Sequence, residues 1–357
     1  MSLPHDKGSF ESWVLGAWYG GAARTLAQRV FTAALAPLGW LVARVARRRR
    51  RQAQSSVAAA QFTPPVVVVG NLTVGGTGKT PVVAWLAAQL QARGKRVGLV
   101  SRGYGRSGAE AQRVAPGDST AVVGDEPAWL AATTGCPVAV GQNRLAAALL
   151  LRAEADVVLS DDGLQHHALP RRLEIIVVDA TRAEPFGNGR CLPAGPLREQ
   201  PDFIGPGHVV LFNHGALPAA QFATAAVPDW ASAAMTLHFA MRPQHAVNLV
   251  TGERQPLAAF ASSGAVAVAG IGHPERFFRA VQAAGAGVQQ SVAFPDHHRY
   301  AASDLASFAD RPVLMTAKDA VKCAAFAAPN WWRVDAALEF APGEGERLVR
   351  AVLAAMA

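Results

Sequence analysis

The chain is 357 residues long, half of them apolar, and carries a formal net charge of +8. That length and composition are enough for a large core and about two domains. Cys136, Cys191 and Cys323 lie far apart without C-x-x-C spacing, so neither a disulfide framework nor a zinc site is indicated, and a reducing compartment fits best. Residues 1–55 hold nine Lys and Arg against Asp6 and Glu11, so +7 of the charge sits there. The nearly neutral remainder argues against a nucleic-acid-binding body.

The N-terminal segment interleaves Trp13, Trp18, Leu26, Val30, Phe31, Leu38, Trp40 and Leu41 with arginines and ends in Arg47 to Arg51. Its longest uncharged run, residues 30–43, contains Pro37 and is shorter than the roughly 20 residues a spanning helix needs. The composition predicts an amphipathic helix lying on an anionic membrane surface. Asp6, Glu11 and the position of the Arg run speak against a signal peptide. A helix docked on the protein's own core with a solvated Arg tail is the plainer alternative.

Residues 66–81 read VVVVGNLTVGGTGKTP. A continuous Val run is the pattern of a parallel strand covered on both faces, and the glycine-rich turn that follows lets backbone N–H groups close round an anion at a helix N-terminus. Thr73, Val74, Gly75, Gly76, Thr77 and Gly78 would form the phosphate cradle, Lys79 would reach the β/γ-phosphates of ATP, and the Thr80 hydroxyl would ligate Mg²⁺. The pattern G-x-x-x-x-G-K-S/T asks for Gly where Thr73 stands, and Gly75-Gly76 supplies the flexibility instead.

Beyond the loop, apolar runs of strand length alternate with helical patterns: helix 82–92, strand 96–101, helix 126–134, strand 137–140, helix 143–154, strand 156–160, strand 173–179 and strand 208–212. This predicts an α/β fold with a P-loop, doubly wound, mostly parallel sheet and ligands at the carboxyl ends of the strands. A second set at 265–271, 274–284, 312–316, 318–326 and from about 344 predicts a smaller α/β domain. The expected division is 1–55 for the membrane-associating segment, 56–215 for the P-loop domain and 216–357 for a domain closing over the cleft.

Asp161-Asp162 follows an apolar run, in the place of the carboxylate that holds Mg²⁺ opposite the P-loop hydroxyl, and either aspartate fits. Gln165 and His166 continue that loop and offer polar groups over the phosphates. Arg102, in SRGYGR, also ends a strand and suits a phosphate. Asp125 opens a helix, where it could equally be a cap. His297, in FPDHHRY, could be a base, a ligand or a satisfied loop histidine.

VGNLTVGGTGKTP, SRGYGR, GDEP, GQNR, SDDGLQHH, NGRCLPAGPLRE, FPDHHRY and TAKDAVK stand in the order and at the spacings of the tetraacyldisaccharide 4′-kinases (lipid A 4′-kinases), and over roughly residues 10–340 the chain resembles that family. The resemblance implies phosphoryl transfer from MgATP to the 4′-hydroxyl of a tetraacylated glucosamine disaccharide 1-phosphate, on the cytoplasmic face of the Gram-negative inner membrane. It implies Arg102 or Arg144 neutralising developing charge, and Asp125, paired with His297 from the other domain, as proton acceptor. The family's usual TEKD is here Thr316-Ala317-Lys318-Asp319, so no Glu stands at 317. A lipid substrate and an anionic membrane surface are the expected partners, with no nucleic acid and no obligate protein partner. A membrane-positioning ATPase switch of the ParA/MinD type is the rival reading; such proteins carry a second Lys where this chain has Val74.

Overall fold

The computed structural model describes residues 7–54, 62–115, 117–272, 274–296 and 298–357. Three helices come first: α1 (Lys7–Tyr19), α2 (Leu26–Ala34) and α3 (Ala36–Gln54). Thr25 and Gln28 form a reciprocal capping box at the start of α2. Pro37 sits in the first turn of α3, where a missing N–H costs nothing, and α2 and α3 meet at a 46° bend. Among the described residues no single helix is long and apolar enough to cross a membrane, although the bent pair α2–α3 is by length and composition.

The sheet strands follow in chain order: β1 (Val66–Gly70), β2 (Val97–Ser101), β3 (Gln112–Val114), β4 (Val138–Val140), β5 (Val157–Asp161), β6 (Leu173–Asp179), β7 (His208–Asn213), β8 (Met235–Asn248), β9 (Arg254–Pro256), β10 (Ala265–Ala269), β11 (Val288–Ala293), β12 (Val313–Thr316) and β13 (Trp331–Phe340). Their spatial order is β11-β10-β12-β13-β8-β7-β6-β1-β5-β2-β4-β3, with β9 beside β8. The helices are α4 (Lys79–Gln91), α5 (Thr120–Val123), α6 (Asp125–Thr134), α7 (Arg144–Leu149), α8 (Pro274–Ala283), α9 (Ala317–Cys323) and α10 (Glu344–Met356).

Alternation along β1 explains the double winding. Val67 and Val69 join Val83, Leu86 and Leu90 of α4 and Leu348 of α10 in one core, while Val66 and Val68 join Ala147 and Ala148 of α7, Ile176 and Phe212 in another. A strand buried on both faces needs apolar residues at every position, which is why the Val run is unbroken.

The strands from β8 through β7, β6, β1, β5 and β2 to β4 are parallel, and so are β13, β12, β10 and β11; the two sets meet at an antiparallel β8–β13 pair. The first half of β8 pairs with β7, and its second half runs on past the end of β7. Because β13 runs back along β8, the carboxyl ends of β10 and β12 point toward the carboxyl ends of β1 and β5. Loops from both halves therefore meet in one cleft.

The doubly wound α/β sheet expected from the sequence is present, with shifted borders. α4 begins at Lys79, three residues before the apolar pattern, and the helix expected over 143–154 ends at Leu149 in turns. β8 and β13 were not legible: β8 carries Pro243 and β13 has a register shift between Asp335 and Ala336, the residue opposite that proline. The expected border at 55/56 lies outside the described residues.

Candidate active site

Residues 71–78 join β1 to α4 as a tight loop. Gly78 precedes the helix with φ +94°, and a Cβ there would lie 2.7 Å from Met241 Sδ and 2.9 Å from Asn213 Nδ2, so the position tolerates only glycine. Asn213, at the end of β7, donates through Nδ2 to the Thr77 carbonyl at 2.8 Å. Asn71 Nδ2 donates to the Gly75 carbonyl at 3.3 Å. Nothing crowds the Cα atoms of Gly75 and Gly76, which leaves room for an anion over that backbone.

β5 delivers Asp161 as its last residue, fully buried, and the Thr80 hydroxyl donates to its Oδ2 at 2.9 Å. Oδ1 of the same carboxylate is buried without a hydrogen-bond partner. Burial pushes Asp161 up to about 7, Glu126 and Asp162 add to the rise, and Lys79 and the Thr80 bond oppose it. A desolvated acid with an unsatisfied oxygen beside a helix N-terminal hydroxyl suits a hard divalent cation, which takes oxygen ligands and keeps phosphate and water in the rest of its shell.

Asp162 faces elsewhere. Arg198 Nη1 lies 2.9 Å and 3.0 Å from its two oxygens, and Lys79 Nζ lies 3.6 Å from Oδ1. Burial raises its pKa, but Lys79 and Arg198 outweigh that and hold it below the usual value. Of the two aspartates left open by the sequence, Asp161 therefore has the geometry of a metal ligand and Asp162 that of an orienter of Lys79.

Arg144, at the start of α7, is buried; Nη1 donates to the Gln142 carbonyl at 3.1 Å and Nε has no partner. Burial, then the neighbouring Arg102, lowers it to about 10, against the pull of Asp162 and Asp161. Arg102 itself is exposed. His166 Nε2 accepts the Arg144 backbone N–H at 3.3 Å, and burial with Arg144 nearby pushes the imidazole down to about 4. Gln165 lies behind the loop: its Nε2 donates to the Asn71 carbonyl at 3.0 Å and to Glu199 Oε1 at 2.9 Å. Thr73 is buried and bridges to Leu197, and Val74 N–H donates to the Pro196 carbonyl at 3.0 Å, so residues 196–199 brace the cradle.

Across the cleft, the first turn of α6 meets α9. Lys322 Nζ sits 3.3 Å from Asp125 Oδ2 and 3.3 Å from Asp319 Oδ1, and Lys318 Nζ sits 2.6 Å from Glu126 Oε1. Asp319 is fully buried and receives the Gly270 N–H at 2.9 Å and the Thr316 hydroxyl at 2.6 Å, which fixes the start of α9. His297 lies outside the described residues. No individual role for Glu126, Arg198, Glu199, Lys322 or Asn213 is legible in the sequence. Glu126 and Arg198 stand inside the motifs GDEP and NGRCLPAGPLRE, whereas Asn213 gave no local signal.

A cavity of about 1330 Å³ opens beside the loop, bordered by Arg50, Arg152, Gln165, His166, His167 and Arg171. The phosphate cradle is a smaller recess lined by residues 73–77 and flanked by Tyr19 and Arg182, whose guanidinium lies 4.0 Å from the Tyr19 ring centroid.

A glycine loop opening a helix at Lys79-Thr80, with a buried acid from the neighbouring strand against the hydroxyl, defines a P-loop nucleotide-binding protein of the doubly wound class. Residues 31–356 match the model of the family LpxK, tetraacyldisaccharide-1-P 4′-kinase. The chain is 49% identical over 294 residues to the tetraacyldisaccharide 4′-kinase of Alkalilimnicola ehrlichii, covering 80% of this chain and 81% of that one. It is 44% identical over 331 residues to the enzyme of the same name from Pseudomonas aeruginosa, covering 91% and 92%. The chain belongs to the tetraacyldisaccharide-1-P 4′-kinase family. The fold is that of the "apo" form of LpxK from Aquifex aeolicus in complex with ATP, with a TM-score of 0.73, 24% identity, and 92% of this chain and 100% of the other covered.

Proposed function

We propose that the chain transfers the γ-phosphoryl group of ATP to the 4′-hydroxyl of a tetraacylated glucosamine disaccharide 1-phosphate; its family and relatives carry the name tetraacyldisaccharide 4′-kinase. The observation that carries this reading is the convergence of Lys79 and Thr80 with Asp162 and Asp161 where the glycine loop meets α4, in a chain whose residues 31–356 match the family. Loop amides and Lys79 would hold the β/γ-phosphates, with Asp162 and Arg198 keeping the Lys79 ammonium in place. Thr80 and Asp161 would hold Mg²⁺, which when bound neutralises phosphate charge. Arg144, buried and short of partners, is the cation poised to meet charge developing on the transferred group, with Arg102 at the rim.

A sugar hydroxyl needs a proton acceptor. Asp125 takes that role in this reading, with His297 as its partner and Lys322 fixing one carboxylate oxygen. Segments 56–215 and 216–357 act as lobes that complete the site on closure, which limits hydrolysis of ATP by water.

Segment 1–55 attaches the enzyme peripherally to the cytoplasmic face of the inner membrane, an arrangement that puts the site beside an acylated substrate. Leu26, Val30, Leu38, Trp40, Leu41 and Val45 are exposed on α2 and α3, and such a run of apolar side chains suits an interfacial helix. The test is to incubate protein, MgATP and the disaccharide lipid in detergent and locate any new phosphate by NMR. A 4′-phosphate is expected; an unmodified lipid under saturating ATP overturns the reading.

A further inference from the structure

One arginine of the basic run does not face solvent. Arg50, at the inner side of α3, is buried together with Ala43 one heptad earlier. Its Nη1 lies 2.8 Å from Glu174 Oε2, its Nε lies 3.2 Å from Glu199 Oε2, and its guanidinium stands 3.4 Å from the centroid of the Phe203 ring. Arg171 lies 2.8 Å from Glu174 Oε1, His208 Nε2 lies 3.3 Å from Glu174 Oε2 and His167 Nε2 lies 3.9 Å from Glu199 Oε2, so two arginines and two carboxylates are gathered beside two imidazoles. Taking four charges out of water is costly, and apolar packing of the Ala43 kind would anchor a helix at less expense. What a charged group adds is direction, and the direction here is toward the phosphate loop.

Glu199 turns its other oxygen to Gln165 Nε2 at 2.9 Å, and the same nitrogen donates to the carbonyl of Asn71, the first loop residue, at 3.0 Å. Gln165 Oε1 accepts from Arg198 Nη1 at 3.3 Å, and Arg198 in turn grips Asp162, which pairs with Lys79. Two side chains thus separate Arg50 from the front of the cradle, and one more pair brings the path to its catalytic lysine. The backbone runs alongside: Arg198 N–H donates to the Leu72 carbonyl at 2.6 Å, and the helix backbone at Gly39 lies so close to the Cys191 carbonyl that a Cβ would meet it at 2.7 Å. Burial raises Glu199 despite Arg50, so this carboxylate depends on its partners to stay charged.

Resting on the kinase reading above, we propose that Arg50 is a positioning residue, through which the seating of α3 sets the geometry of Asn71 and Lys79 by way of Glu199, Gln165 and Arg198. The helix that bears the exposed apolar face is thereby part of the lever that shapes the phosphate cradle, beyond serving as an attachment. Arg48, Arg49 and Arg51 remain exposed, and Arg47 pairs with Asp202 at the surface, so the run divides into one inward cation and four outward ones.

Two variants test this in the full chain. Arg50→Lys keeps the charge, but one ammonium cannot span both carboxylates with the arginine's fork. Glu199→Gln keeps the shape and removes the charge that Arg50 directs. Each is expected to lower kcat about tenfold or more with KM for ATP within about threefold, since small displacements of reacting groups carry such penalties. The Arg50→Lys, Gln165→Ala double variant should lose little beyond the worse single one, because both lie on one path. Amide hydrogen exchange supplies a readout independent of turnover: residues 71–79 should exchange faster in Arg50→Lys while β1, β5 and β6 keep parental protection. Parental exchange in the loop, or parental kcat in a folded Arg50→Lys protein, overturns the proposal. An inactive parent whose loop nevertheless loosens in Arg50→Lys would overturn the kinase reading and leave the linkage standing.

Discussion

Replacing Asp161 with Asn tests the reading of the buried acid as a metal ligand. An acid whose pKa rises on folding favours the folded state when protonated. That advantage is complete below about pH 4 and is lost as the pH climbs through the folded value of about 7. From an ordinary aspartate value near 3.9, the rise corresponds to about 4 kcal/mol at roughly 1.4 kcal/mol per unit. Asn carries no charge, so the nucleotide-free variant should exceed the parent in stability at pH 8 by about that amount and lie close to it near pH 4. With an unfolding entropy of roughly 2.1 cal/mol/K per residue, a chain of 357 residues gives about 5 °C in Tm at pH 8. MgATP should reverse the order, because a ligand bound only by the native state stabilises it and the Asn variant has lost the anionic oxygen. Scanning calorimetry of parent and variant at pH 4 and pH 8, with and without MgATP, measures all eight values. Identical pH dependence in parent and variant, or equal stabilisation of both by MgATP, would refute the assignment.

Changing Arg47, Arg48, Arg49 and Arg51 to Gln while keeping Arg50 should weaken sedimentation with anionic vesicles and remove most of its salt dependence, since each Arg near such a surface is worth about 1 kcal/mol. Equal partitioning at low salt would favour a helix docked only on its own protein. Gly70→Ala places a Cβ 2.4 Å from that of Leu164, so a loss of about 1–3 kcal/mol is expected in urea melts. For the pair Asp125 and His297, each Ala variant should lower kcat much more than it raises KM for ATP, and the double variant should be scarcely worse than the poorer single one. Additive losses would remove the pair as a unit.

The parts of this architecture that were legible before folding are those whose cause is local. The unbroken run Val66–Val69, the Gly75 to Thr80 loop and the apolar approach to Asp161 each record a strand buried on both faces or a backbone that must close round an anion. The different surroundings of Asp161 and Asp162 were not legible, because they depend on Arg198, 36 residues from Asp162, and on the turn that gives Asp162 a positive φ of 48°. Arg50 looked like its four neighbours in the run. Only the helical period, set by where Ala43 meets the sheet, turns it inward to Glu174 and Glu199. The β8–β13 pair that opposes the two sets of carboxyl ends was hidden for a related reason: its pairing is non-local, and Pro243 breaks the pattern a central strand would show. Lys318 and Lys322 reach Glu126 and Asp125 only once that pairing exists.

A kinase of this kind hands phosphate to a lipid hydroxyl and not to water. Incubating the full chain with γ-labelled ATP, Mg²⁺ and either the tetraacylated disaccharide 1-phosphate or detergent alone, and following where the label goes, addresses it directly. Label is expected in the lipid, with little free phosphate when lipid is absent and a loss of about 100-fold or more in Lys79→Ala, whose ammonium stabilises the transferred charge. Release of labelled phosphate at the same rate with and without lipid, and none in the lipid, would contradict it and point to an ATPase switch.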